Sequence, residues 1–191
     1  QPRDRGIMIG AVHTLPEQRG NGFAPALLGW VENKEKSLQT TISMLFTDIG
    51  TEYYGRFGYR ECPSWELRLA TGDIEACWQL EQVDRREHAD ELRSLYENST
   101  RCDELALVRD EEYWDYIFYK QPEDLTFLAE DENGELAGYV RIRCRESEWV
   151  IQDWGLATPG DENLTSLVLT VAARANREGA VQLNGWMPSW P

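Results

Sequence analysis

The stretch Arg19-Gly-Asn-Gly-Phe-Ala24 constrains the fold of this chain more than any other. It follows the apolar run GIMIGAVH and precedes PALLGWVENKEK, which has helical character. Strand, glycine-rich turn and helix in that order form a common anion site. Glycines at 20 and 22 let the backbone approach a ligand without Cβ clashes. The start of the following helix aims unpaired N–H groups and a partial positive charge at whatever sits there. Arg19 adds a charge able to reach phosphate. Two glycines before a helix also fit a plain tight turn, so the spacing alone leaves both readings open.

Charge and cysteine usage narrow the field of ligands. The net charge of −15 argues against nucleic acid or an anionic membrane surface as the main partner. Residues 1–70 carry eight acidic and eight basic side chains, 71–135 carry twenty and six, and 136–191 carry six and five. The glycine-rich turn therefore lies in the neutral part, where its host does not repel an anion. The acidic middle is either a solvated surface or an attractor for a cationic substrate. Cys62, Cys77, Cys102 and Cys144 form no CxxC pair, and His13 and His88 are too isolated to complete a metal site, so no metal is expected. That spacing fits reduced cysteines in a cytoplasmic protein. No run of about 18 apolar residues predicts a membrane span, and no secretory leader is evident. A chain beginning at Gln1 rather than methionine is expected to be a fragment.

At 191 residues, 41% hydrophobic and with eight tryptophans, the chain has material for one large packed domain or two small ones. Residues 7–14 predict a strand, 23–37 a helix with Pro25 in its first turn, and 40–46 a β-branched strand. A short helix over 51–57 ends at Gly58, and 65–70 closes this half as a strand. After the break at 71–73, Ala89, Leu92, Leu95 and Tyr96 recur at helical spacing within 85–98. A second helix begins after Asp110, with Tyr113, Trp114 and Ile117 on one face. A hairpin follows, 125–130 and 135–144 around Asn133-Gly134, where both residues tolerate positive φ. Then come a strand at 149–157, a helix at 162–178 and a strand at 180–186. The second half thus reads helix, helix, three strands, helix, strand, and both halves are α/β.

Arg-Gly-Asn-Gly-Phe-Ala resembles the R/Q-x-x-G-x-G/A signature of the GNAT N-acetyltransferases, and YYGRFGY at 53–59 resembles that family's FYxxxGF segment. A P-loop is excluded because no GK[ST] follows, and a Rossmann site lacks its acidic residue. The resemblance implies an α/β GNAT fold, a mixed and mostly antiparallel sheet flanked by helices, whose N-terminal strands are missing here. It implies that the amides of Val12, His13 and Thr14, on a splayed strand, hold the pantetheine and acetyl carbonyl of acetyl-CoA. Arg19, Gly20, Asn21, Gly22, Phe23 and Ala24 would hold the pyrophosphate. Tyr54 matches the tyrosine that protonates the departing thiolate; packing under the sheet fits Tyr53 and Phe57 better. His13 is a weaker candidate base, and Asp48 and Glu52 are either cation-binding or helix-start residues.

LFTDIGTEYYGRFGYRECPSWEL, with the acidic extension, RDEEYWDYIFYK and GYVRIR, resembles the fungal lysine N-acetyltransferases with a second GNAT-like domain. That implies acetyl transfer to a small cationic amine, the lysine side chain foremost, polyamines otherwise. It also implies residues 1–70 as the acetyl-CoA-binding part of one domain and 71–191 as a degenerate second one. A non-catalytic acyl-CoA-binding or structural domain is the alternative. In the second unit ATPGDENL (157–164) puts Asp161 and Glu162 where the first has arginine and glycine, and carboxylates there repel a phosphate. Trp149, Trp154 and Trp186 are expected in the core or an interface.

Overall fold

The computed structural model describes residues 4–47, 49–62, 65–101, 103 and 106–187. Asp48 and Cys102 lie outside the described residues. The chain divides into two compact units, Gln1–Cys62 and Pro63–Pro191.

In the first unit β1 (Gly6–Ile9) leads through a 3-10 turn (Pro16–Gln18) into α1 (Phe23–Ser37), then β2 (Ile42–Leu45) and α2 (Thr51–Gly55). β1 and β2 pair in parallel from Gly6↔Ile42 to Ile9↔Leu45, the pairing a helical crossover produces. The period-2 pattern half-buries Ile7, Ile9, Ser43 and Leu45 and exposes Met8 and Met44. Leu28 on α1 is fully buried. The helix has the bounds the sequence predicts. The strand expected over 7–14 does not: pairing stops at Ile9, and Ala11 takes a φ of 55°. A left-handed residue cannot continue an extended strand, so the chain leaves β2 there.

The second unit is built on a six-stranded sheet of order β3-β8-β7-β6-β5-β4. Its elements are β3 (Trp65–Ala70), β4 (Gln79–Val83), α3 (Ala89–Thr100), α4 (Glu111–Lys120), β5 (Leu125–Glu130), β6 (Leu136–Arg145), β7 (Glu148–Leu156), α5 (Asp161–Arg177) and β8 (Gln182–Met187). Neighbours are antiparallel except β7 and β8. Val140 of β6 joins a core with Phe127, Ile142, Leu156, Leu183 and the α5 residues Leu164, Leu167 and Val171. Tyr139, next to it, joins Leu92, Leu95, Tyr96, Trp114 and Phe118 of α3 and α4. Successive residues of a strand point to opposite faces, so the helices cover both sides of the sheet. At Gly155 a Cβ would lie 2.5 Å from Tyr139 and 2.9 Å from the α3 backbone. Only glycine lets α3 pack so near β7.

Two sequence expectations change here. Residues 65–70 do form a strand, but it pairs antiparallel with β8 from Trp65↔Met187 to Ala70↔Gln182 and belongs to the second unit. The division falls at 62/63 rather than 70/71 because those six ladder positions bind the segment to β8. The second unit also contains a strand that the sequence reading misses, β4, an edge strand paired among the described residues only with β5. In the hairpin, Gly134 adopts φ 77° while Asp131 organises a five-residue loop. Its Oδ1 accepts from the amides of Asn133 (2.8 Å) and Glu135 (3.0 Å), within the turn the sequence predicts around Asn133-Gly134.

Candidate functional site

Beyond Ile9 the first unit runs through six unpaired residues before the 3-10 turn. Val12 and Thr14 are half-buried, His13 is exposed, and no backbone bond among the described residues occupies their N–H groups. The next segment folds back through Gln18, whose amide donates to the Leu15 carbonyl (2.9 Å), and Arg19, whose amide donates to that of Pro16 (3.3 Å). Gly20 and Gly22 then take φ of 82° and 78°. Those angles, rather than crowding, require glycine, since a Cβ at either would meet nothing within 4 Å.

Gly22 is the N-cap of α1 and supplies no side-chain cap. The helix's first intrahelical bond is Ala26 N–H to the Gly22 carbonyl (3.0 Å), and Pro25 has no N–H. The amides of Gly20, Asn21, Gly22, Phe23 and Ala24 are therefore without backbone partners among the described residues. Successive free N–H groups around left-handed glycines form a concave donor set, here at the positive end of a 15-residue helix. No acidic residue occupies the first turn of α1. The loop therefore presents a set of amides without backbone partners among the described residues, chemistry that suits a phosphate-bearing group.

The Arg19 side chain also bonds within this segment. Its Nε donates to the Thr14 carbonyl at 3.2 Å, tying the glycine loop to the end of the unpaired segment. Asn21 likewise turns inward, its Nδ2 donating to the Gln18 carbonyl at 3.2 Å. Asn21 therefore contributes its backbone N–H, while its side chain closes the turn.

Tyr54 lies on α2, half-buried, its ring edge-on to Tyr53 (centroids 5.1 Å) and Tyr59 (6.0 Å). Tyr53 also packs against Phe57 at 5.6 Å. No hydrogen bond engages the Tyr54 hydroxyl among the described residues. Glu52 is exposed in the first turn of α2.

Sequence reasoning missed a polar cluster beside these rings. Tyr59 Oη lies 2.6 Å from Ser43 Oγ. Burial pushes the Tyr59 hydroxyl above its usual ionisation range, the Ser43 bond opposes this, and the Glu32 carboxylate adds to it. These side chains, with Glu35, Lys36 and Phe57, line a cavity of about 300 Å³ that none of residues 12–14, 19–24 or Tyr54 borders. The last tyrosine of YYGRFGY was its only sequence signal, since Glu32 and Ser43 come from separate elements.

In the second unit the turn before α5 has different chemistry. Gly160 precedes the helix, Asp161 and Glu162 fill its first turn, and Asn163 Nδ2 donates to the Thr158 carbonyl at 2.9 Å. Trp149 is buried in the core and Trp154 packs against it. Trp186 is exposed. Among the described residues no group of His, Cys, Asp and Glu is arranged to hold a metal ion, and no helix is long and apolar enough to cross a membrane.

No protein-family model matches the sequence, and no curated protein matches it. Solved structures do match. A conserved protein from Enterococcus faecalis V583, described as a probable N-acyltransferase, superposes with a TM-score of 0.72 at 17% identity, over 95% of this chain and 47% of its own. A GCN5-related N-acetyltransferase from Kribbella flavida gives 0.72 at 16%, over 97% and 46%. Another, from Anabaena variabilis ATCC 29413, gives 0.72 at 23%, over 95% and 48%. The chain has the fold of the GCN5-related N-acetyltransferases and spans about half the length of these proteins.

Proposed function

We propose that this chain, with its GCN5-related fold, carries the acetyl-CoA-binding part of an N-acetyltransferase that acetylates a primary amine, the side-chain amine of lysine. The observation that supports this reading is the run of unpartnered backbone N–H groups, at 12–14 and again at 20–24, around two left-handed glycines at the start of α1. The loop amides are suited to a pyrophosphate, and the helix dipole favours its charge. The amides of Val12, His13 and Thr14 are suited to the pantetheine arm and the acyl carbonyl, where donors stabilise charge developing on oxygen. Acetyl-CoA supplies the activated thioester. Tyr54, with its free hydroxyl, is the group that returns a proton to the leaving sulfur. The excess of acidic side chains over 71–135 favours a cationic acceptor.

The test is an acetyl-transfer assay on the full-length protein with free lysine, polyamines and a lysine peptide, paired with calorimetry of acetyl-CoA binding. Turnover on lysine above the others supports the acceptor named here; turnover on a polyamine moves the acceptor within the same chemistry. Acetyl-CoA binding without turnover on any amine favours a non-catalytic acyl-CoA-binding domain. Absence of binding by a folded protein refutes both. A Tyr54→Phe variant that transfers at the normal rate removes Tyr54 as the thiol acid.

A further inference from the structure

The five residues of α2 cannot fix their own orientation. A single turn of helix is marginal alone, no side chain caps its start, and none of its residues is buried. Tyr54 stands on this turn with its hydroxyl unengaged among the described residues. Whatever aims its ring must therefore come from outside the turn.

The segment after α2 returns to do so. Gly58 takes a φ of 87°, which glycine permits, and the Tyr54 carbonyl accepts from the amides of Phe57 (2.9 Å) and Tyr59 (3.3 Å). The reversal brings the Tyr59 ring edge-on to that of Tyr54, with centroids 6.0 Å and planes 75° apart. Such a pair is a favoured arrangement, but it orients Tyr54 only if the second ring is itself held.

Tyr59 is held through its hydroxyl. Oη lies 2.6 Å from Oγ of Ser43 on β2, within the range of a well-formed O–H···O bond. Ser43 is a polar residue on a face of the two-stranded sheet whose other half-buried members are Ile7, Ile9 and Leu45. An apolar side chain would continue that face, whereas serine offers Tyr59 a partner. Burial raises the ionisation of Tyr59 against the Ser43 bond, and the Glu32 carboxylate of α1 adds to the rise. The hydroxyl therefore stays protonated at neutral pH and can both donate and accept. The family segment that YYGRFGY resembles ends in phenylalanine, which has the ring without this anchor.

We propose that Tyr59 is a positioning residue: its hydroxyl bond to Ser43 fixes the Tyr59 ring on β2, and that ring holds Tyr54 in the orientation its proton transfer requires. This deepens the reading of Tyr54 as the thiol acid and rests on it. Tyr59 transfers no proton and acts only through Tyr54.

The test has two arms. In the first, the whole chain carries isotope-labelled tyrosine rings for magnetic resonance, and the signals lost in Tyr54→Phe assign Tyr54 among the eight tyrosines. Tyr59→Phe and Ser43→Ala keep both rings and delete the bond, so a change at Tyr54 reports its orientation. Cross-relaxation between rings 54 and 59 is expected in the wild type and in Ser43→Thr, which keeps a hydroxyl, and is expected to be lost in Y59F and S43A. Tyr54 signals unchanged in both of those variants overturn the proposal.

In the second arm the full-length protein transfers acetyl groups to lysine. Y59F and S43A should each lower kcat about tenfold and leave the KM for acetyl-CoA within about twofold. The double variant should be no slower than the slower single one, because the two changes remove one bond. S43T should recover the rate. Circular dichroism matched to the wild type excludes loss of folded protein as the source of a lower kcat. Additive losses, or a raised KM with kcat intact, overturn the proposal. Normal transfer by Y54F, or no transfer by the wild type, refutes the reading of Tyr54 as the acid, and the ring signals then decide by themselves whether Tyr59 holds it.

Discussion

A fragment beginning at residue 71 should be much less stable than one beginning at residue 63, although both contain every other element of the six-stranded sheet. The shorter fragment lacks β3, whose six ladder positions cover the free edge of β8. Leu67 and Leu69 on that strand are half-buried and pack against the main core. A fully buried leucine contributes about 1.5–3 kcal/mol, so two half-buried ones together contribute about 1.5–3 kcal/mol. Their removal also opens the flank of Leu183, which is wholly buried on β8, and leaves an unpaired edge prone to association. The expected loss is about 3–5 kcal/mol, a large share of the roughly 5–15 kcal/mol that holds a domain folded. Urea denaturation of fragments 63–191 and 71–191, followed by tryptophan fluorescence and circular dichroism, measures it. Two fragments agreeing within about 0.5 kcal/mol, a difference typical of neutral surface changes, would refute the placement of β3 in this sheet.

Four further outcomes follow from individual contacts. Asp153 receives two bonds from Arg109 (2.6 and 2.9 Å) and one from the Tyr139 hydroxyl (2.9 Å), so Asp153→Leu strands a buried cation and should cost about 3–5 kcal/mol in urea melts. Burial pushes the hydroxyls of Tyr139 and Tyr96 above their ordinary 10.0. The unfolded chain therefore loses protons near pH 10 that the folded one keeps, and the contribution of these two tyrosines to stability should be flat below pH 10 and fall above it. The Tyr139→Phe variant should show a shallower alkaline fall. Asp110 caps α4 by accepting from the Tyr113 amide at 2.8 Å, and Asp110→Ala should lower stability by about 1 kcal/mol. Gly22→Ala must hold an L-residue near φ 78°, at about 1–2 kcal/mol, and should weaken acetyl-CoA binding roughly tenfold by calorimetry.

Elements with a strong internal period were legible in the sequence. α1 has its predicted bounds because Pro25 and the glycine turn mark its start, and α5 shifts by one residue because its apolar stripe runs unbroken. What failed depended on partners distant in sequence. QLEQV reads as polar because β4 is an edge strand whose one neighbour, β5, lies over forty residues on. Residues 65–70 read as a strand but carry no mark of their unit, since pairing with β8 spans more than a hundred residues. Residues 10–14 look extended, but the left-handed Ala11 that ends the pairing carries no sequence mark. In the candidate site, the glycine loop was legible because φ above zero selects for glycine. The inward turn of Arg19 toward Thr14 was not, because a side chain's partner is a property of the folded loop.

The two units use one arrangement for different ends. In each, a strand runs into a turn, a helix returns, and a second strand pairs in parallel with the first: β1, α1 and β2, then β7, α5 and β8. In each the pairing covers four positions before ending. The turn decides what such a unit can hold. Before α1 it presents free amides around Gly20 and Gly22, no carboxylate enters the first helical turn, and Arg19 braces the loop from behind. Before α5, Asp161 and Glu162 stand in that first turn, and Asn163 bonds back to Thr158. Carboxylates at a helix N-terminus satisfy its partial charge themselves, so a phosphate there would meet two like charges. Buried side chains on the covered faces follow the same logic: Gly155 and Tyr139 use the second unit's sheet to seat α3. The two turns thus differ in what stands at the helix start, amides without backbone partners among the described residues before α1 and carboxylates before α5.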